Sequence, residues 1–99
     1  MARSSGLESG FQDRLRDELE DLFPGCMIFK MDQLQGIPDL LILYRNMWAS
    51  LECKKSERAS RQPNQEYYVA LMDEMSFSSF IYPENKDEVL DALYSYFMS

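Results

Sequence analysis

The stretch Gly36-Ile37-Pro38-Asp39-Leu40-Leu41-Ile42-Leu43-Tyr44-Arg45-Asn46-Met47-Trp48-Ala49-Ser50-Leu51-Glu52-Cys53-Lys54 decides how this chain folds. Ile37 to Tyr44 is nearly all apolar apart from Asp39, the pattern of a strand buried on both faces. Arg45-Asn46 supplies a tight reversal, and Trp48 to Lys55 alternates as a strand does. The two runs predict a β-hairpin. Side chains in a strand alternate faces, so Glu52 and Lys54 point one way and Cys53 the other. Folding about Arg45-Asn46 lays Asp39 roughly opposite Glu52 to Lys54. Two carboxylates and one ammonium are therefore expected to converge at one end of a sheet, with Cys53 in the core and not a nucleophile.

Upstream, Phe11, Leu15, Leu19, Leu22 and Phe23 recur at helical spacing among charges until Pro24-Gly25, which predicts an amphipathic helix beginning as early as Ser5. Cys26 to Lys30 reads as a short strand, and Asp32 to Gly36 as loop. Downstream, Lys55 to Gln62 is a polar, partly basic loop. Pro63 suits the first turn of a helix to which Tyr67, Tyr68, Leu71, Met72 and Met75 give a broad apolar face. Phe77 to Tyr82 resembles a further strand. Asn85 and Glu88 form a potential capping box before a last helix with Val89, Leu90, Leu93, Tyr96 and Phe97 on one side. The predicted order is α-β-β-β-α-β-α, an α/β fold.

Composition narrows the chemistry. The 99 residues suffice for one domain, spanning 1–99, that buries roughly 65% of its unfolded surface. There is no His, which removes Ser-His-Asp and Cys-His nucleophile systems, His-ligated zinc and imidazole-based nucleases. Cys26 and Cys53 are too far apart for a CxxC motif, and a reducing compartment is the simplest expectation. The chain start lacks an apolar leader and no window is apolar enough to span a membrane, so an intracellular, soluble protein is expected. The formal charge of −7 argues against a general nucleic-acid coat protein. That charge is unevenly spread. Residues 30–61 hold six basic residues against four acids, a local +2, whereas the flanks hold four against thirteen, or −9. A basic central face between acidic helices is the expectation.

Two carboxylates a few ångströms apart repel, so they either share a proton or hold a hard divalent cation through oxygen ligands. A cation there would polarise a phosphodiester and lower the pKa of a water, while a neighbouring Lys orients or deprotonates that water. This route needs no His. The bland alternative for Asp39, Glu52 and Lys54 is a structural ion pair at a sheet end.

The written pattern is Pro38-Asp39, twelve residues, then Glu52-Cys53-Lys54. It resembles the PD-(D/E)XK nuclease superfamily, whose restriction-endonuclease-like core is an α-β-β-β-α-β arrangement with a mixed sheet flanked by helices. With Leu51-Glu52-Cys53-Lys54 and Arg61-Gln62-Pro63-Asn64-Gln65, the stretch looks like the small virus-type replication-repair nuclease (VRR-NUC) domains. The resemblance implies a Mg²⁺- or Mn²⁺-dependent endodeoxyribonuclease with Asp39 and Glu52 as metal ligands, Lys54 acting on the water and Gln65 at the start of the helix positioning the site. It also implies a Glu in the first helix. Gly6-Leu7-Glu8 resembles the corresponding segment of archaeal and phage Holliday-junction resolvases of the same superfamily, and Glu8 lies one turn before Phe11, in line with the apolar stripe. Glu18, on the shoulder of that stripe, is the second choice.

Lys55, Arg58 and Arg61 are candidate contacts to the DNA backbone or, alternatively, a solvated loop. Tyr67, Tyr68 and Tyr82 read as core or dimer packing. The resemblance favours branched DNA such as Holliday junctions as substrate, in phage replication or repair within a bacterial cytoplasm. A homodimer is expected because so small a chain has little surface beyond the site, with the Tyr67–Met75 helix and the C-terminal helix as candidate interfaces. The rival readings are a non-catalytic DNA- or protein-binding module on the same fold, and an acidic DNA mimic.

Overall fold

The computed structural model describes residues 6–99, with side chains from residue 10 onward. The elements run α1 (Gly6–Leu22), β1 (Met27–Lys30), β2 (Leu40–Tyr44), β3 (Met47–Cys53), α2 (Pro63–Met75), β4 (Ser78–Ile81) and α3 (Lys86–Met98), the order expected from the sequence. The strands form one sheet in the order β1-β2-β3-β4. β1 to β3 are antiparallel, and β4, reached through α2, lies parallel to β3. The hairpin turns at Arg45, which takes a left-handed φ of 58°, and pairs Tyr44 with Met47 and Leu40 with Leu51. A two-residue turn leaves no freedom of register.

Alternation along β2 and β3 separates two faces. Leu40, Ile42, Tyr44, Ala49, Leu51 and Cys53 enter the core, meeting Phe11, Leu15, Leu19 and Phe23 of the α1 stripe and Val89, Leu90, Leu93 and Phe97 of α3. Burying the four α1 side chains contributes up to roughly 1.5–3 kcal/mol each, an upper estimate because the unfolded chain already hides some of that surface. Away from the site, Phe23, Tyr44 and Phe97 interlock with centroids 5.1 to 5.4 Å apart. This cluster ties α1, the hairpin turn and α3 together.

The other face is covered only in part. α2 crosses β3 and β4, anchored where Asp73 Oδ1 accepts from the Ser78 amide at 3.0 Å, where Met72 faces Ser50 Oγ, and where Ser76 Oγ donates to the Trp48 carbonyl; Ser50 Oγ also donates to Ser78 Oγ at 2.8 Å, tying β3 to β4. Three expectations are corrected here. β2 starts at Leu40, not Ile37, and only one of its faces is fully buried, since Leu43 is exposed. No residue of α2 is buried, and Tyr67 and Met75 lie 60% and 65% exposed, because four short strands give the helix less to cover than its apolar pattern offers. Asn85 precedes α3 without a side-chain cap. Its Oδ1 accepts from the Tyr82 amide at 2.8 Å and its Nδ2 donates to the Phe80 carbonyl at 3.2 Å, closing the β4–α3 turn instead. Met27 and Phe29 of the edge strand, paired with Leu43 and Leu41, leave an apolar half-sheet open beside α2.

Candidate active site

Asp39 sits one residue before β2. An Ile37 N–H to Leu34 carbonyl turn and the buried Pro38 bring the chain to it, and the Met31 amide donates to the Asp39 carbonyl at 2.6 Å, extending the β1–β2 ladder. Its side chain folds over the end of β3, where Oδ2 accepts from the Cys53 amide at 2.9 Å. The hairpin thus delivers Asp39 to the Glu52–Lys54 segment, as the turn at Arg45-Asn46 requires.

Glu52 lies on the face opposite the core, its side chain only 4% exposed. Lys54 follows the strand, its amide still paired with the Ile81 carbonyl at 2.9 Å, and its Nζ stands 3.9 Å from Glu52 Oε2. Between them reaches Gln65 from the first turn of α2. Its Nε2 donates to Glu52 Oε2 at 3.1 Å and its Oε1 accepts from Lys54 Nζ at 2.8 Å. The amide bridges an anion and a cation with each end matched to its partner. The same Oε1 accepts from the Gln62 amide at 3.0 Å, the return half of a capping box, so the residue that starts the helix also braces the site. Pro63 at the helix start has no N–H to satisfy there.

The structure therefore brings Asp39, Glu52, Lys54 and Gln65 together, and Cys53 is fully buried in the core as expected. Glu8 belongs to the first turn of α1, but its side chain lies outside the described residues. Glu18, the alternative, is held by Lys86 of α3 at 2.8 Å, a bond that raises the Lys86 pKa. Phe11, Arg14 and Leu15 border Pro83 around a cavity of about 270 Å³, so the first half of α1 flanks the sheet end where β3 and β4 finish. Lys55, Arg58 and Arg61 are exposed on the loop from Lys54 to Gln62. The Arg61 guanidinium stacks 3.9 Å from the ring centroid of Phe80, the strand partner of Glu52.

Sequence reasoning missed Asn64 and the full role of Gly36. Asn64 Nδ2 donates to the Gln35 carbonyl at 3.0 Å, and Gly36 takes φ +92° against the Asn64 side chain. The stack of Arg61 on Phe80 joins residues 19 positions apart and has no local signal in the sequence either. The Gln62-x-x-Gln65 spacing was the one local signal in this segment.

The four-residue group carries two carboxylates against one ammonium. An all-oxygen pair of acids with a net negative charge suits a hard divalent cation such as Mg²⁺ or Mn²⁺. Among the described residues no third Asp, Glu, Cys or His joins them. The residues present fit such an ion as two ligands of a larger shell.

The chain is thus an α/β structure with a four-stranded mixed sheet and three helices, consistent with a restriction-endonuclease-like fold. One solved structure, described as a VRR_NUC domain, superposes with a TM-score of 0.70 over 86% of this chain and 95% of its own length, at 23% sequence identity. The fold is that of a VRR_NUC domain, in agreement with the resemblance read from Pro38-Asp39 and Glu52-x-Lys54. No protein-family model and no curated protein sequence matches the chain. No described helix is long and apolar enough to cross a membrane.

Proposed function

We propose that residues 1–99 form one nuclease domain, a divalent-metal-dependent endodeoxyribonuclease that hydrolyses DNA phosphodiesters. The observation that carries this reading is the convergence of Asp39, Glu52, Lys54 and Gln65 at one sheet end, on a fold shared with a VRR_NUC domain. Asp39 and Glu52 are the residues that would hold Mg²⁺ or Mn²⁺, with Glu8 as a third ligand from α1. When bound, such an ion polarises the phosphodiester and makes a water more acidic. Lys54 Nζ gives one hydrogen to Gln65 Oε1 and retains two, enough to orient the attacking water and to contact a phosphate oxygen. Gln65 keeps that ammonium from collapsing onto Glu52. Burial of the Glu52 side chain excludes bulk water and strengthens each of these contacts.

Lys55, Arg58 and the stacked Arg61 are proposed to grip the DNA backbone beside the cut. Branched DNA such as Holliday junctions is the substrate favoured by the likeness of Gly6-Leu7-Glu8 to resolvases, with a role in phage replication or repair inside a bacterial cell. A homodimer would set two sites at a fixed separation; the exposed Tyr67 and Met75 of α2 support that helix as its contact, whereas α3 commits Val89, Leu90, Leu93 and Phe97 to the core.

The test is cleavage of linear, flapped and four-way-junction DNAs in Mg²⁺, Mn²⁺ or EDTA. Cutting that requires the metal and disappears in folded Glu52→Gln and Lys54→Ala proteins is expected. Full activity in folded Lys54→Ala, or in EDTA, would sink the assignment. Sedimentation showing only monomer at micromolar concentration would remove the dimer.

A further inference from the structure

The site is built from two pieces of chain that approach from different directions: the loop that ends at Asp39, and the start of α2 that carries Gln65. Asn64 joins them. Its Nδ2 donates to the Gln35 carbonyl at 3.0 Å, across 29 positions of sequence. The fit is close, since a Cβ added to Gly36 would stand 2.6 Å from Asn64 Cγ, and the φ of +92° there is one that side-chain-bearing residues rarely adopt. The loop is thus seated on the helix start in a way that needs glycine at 36 and a compact donor at 64.

Little slack lies between this contact and the site. On the loop side, only Ile37 and the buried Pro38, whose ring fixes φ, separate Gly36 from Asp39. On the helix side, Asn64 is followed directly by Gln65, the bridge between Glu52 and Lys54. Any shift at the Asn64–Gln35 contact passes to both pieces. The hydrogen bond from the Cys53 amide to Asp39 Oδ2 is a local reporter of the result.

We propose that Asn64 is a positioning residue that sets the distance between Asp39 and the Glu52–Lys54–Gln65 group, and through it the affinity of the site for a divalent cation. The cation clause rests on the nuclease reading; the coupling of Asn64 to Asp39 does not. Losing one exposed hydrogen bond of this kind corresponds to about a two- to fivefold change in an equilibrium.

The experiment uses the full chain and two variants, Asn64→Ala and Asn64→Leu, the second keeping the size and the charge of the side chain while removing the donor. Amide hydrogen exchange at Cys53 is compared with that at Ile42 and Ala49 in the middle of the hairpin, and Mn²⁺ binding is measured by calorimetry. Both variants are expected to exchange the Cys53 amide at least about twofold faster with Ile42 and Ala49 unchanged, and to bind Mn²⁺ about two- to fivefold more weakly. Exchange at Cys53 unchanged in both variants overturns the coupling. Exchange that rises equally at all three amides overturns it too, since that is a purely structural role. Wild-type protein that binds no Mn²⁺ while Cys53 still responds refutes the nuclease reading and the cation clause, and upholds the coupling. Weaker Mn²⁺ binding with Cys53 unaltered refutes positioning through Asp39.

Discussion

Removal of the Gln65 side chain tests whether the site residues hold one another or merely lie near one another. Gln65→Ala deletes a donor to Glu52 Oε2, an acceptor for Lys54 Nζ and an acceptor for the Gln62 amide. Hydrogen bonds to charged groups contribute ~1.5–3 kcal/mol each when a partner is stripped away. Gln65 is only half-buried, so water replaces part of what is lost, and a total of about 2 kcal/mol is expected once the N-terminal brace of α2 is included. For a chain of this size that corresponds to a fall in melting temperature of roughly 8–16 °C. Urea unfolding followed by far-ultraviolet circular dichroism measures it, with the denaturant slope unchanged if only stability moved. Gln65→Glu adds a sharper test. It keeps both acceptor contacts but sets a third carboxylate against Glu52. The folded cluster then takes up a proton more readily than the unfolded chain, so this variant gains stability relative to wild type as pH falls from 8 to 5. A Gln65→Ala loss below about 0.5 kcal/mol, within the range of ordinary surface substitutions, would refute the bridging role.

Three further outcomes follow from other parts of the molecule. Lys86→Met should cost about 0.5 kcal/mol near neutrality, because the pair with Glu18 is partly exposed; since the Lys86 pKa is raised above 10.5, first by its hydrogen bond to Glu18, the cost should persist below that pH and vanish as pH climbs beyond it, read from unfolding at pH 7 to 11.5. Cys26 should alkylate more slowly at pH 8 than a free cysteine peptide, burial first and Glu20 second having raised its thiol pKa, while Cys53 should not react until the protein unfolds. Arg61→Ala should change stability by at most ~1 kcal/mol through loss of the Phe80 stack, yet lower the salt-dependence slope of DNA binding by about one, and a slope equal to wild type would take Arg61 out of the DNA contact.

The hairpin was legible in the sequence because its register depends on a two-residue turn and a period of two, both local. From those alone, Asp39, Glu52 and Lys54 fall together and Cys53 turns inward. The α1 and α3 stripes were equally plain, since spacing near 3.6 says which side is apolar. What spacing does not say is how much of that side a partner covers. Hence α2, with five apolar residues on one face, buries none of them fully, and β2 has one open face instead of none. The Asn64–Gln35 contact left no local trace because its two ends are 29 residues apart, and Asn85 carried the signature of a helix cap while its side chain served the preceding turn. Glu8 belongs with these as a residue whose assignment comes from resemblance and helical position.

The open half-sheet gives the acidic flanks a purpose. Met27, Phe29 and Leu43 form an apolar surface on and beside the edge strand β1, whose outer backbone groups have no strand beside them among the described residues, an arrangement that invites edge-to-edge stacking of copies. No Asp or Glu lies within β1 or β2 to blunt it. The thirteen acids of the flanking segments act at longer range, as a common negative field that opposes such edge-to-edge stacking at neutral pH. Near the sequence pI of about 4.4 that field disappears, and in high salt it shrinks to a few ångströms. Charge is thereby divided between different parts of a short chain: residues 30–61 carry a local excess of positive charge, and the flanking segments carry the repulsion that the apolar edge of the sheet lacks.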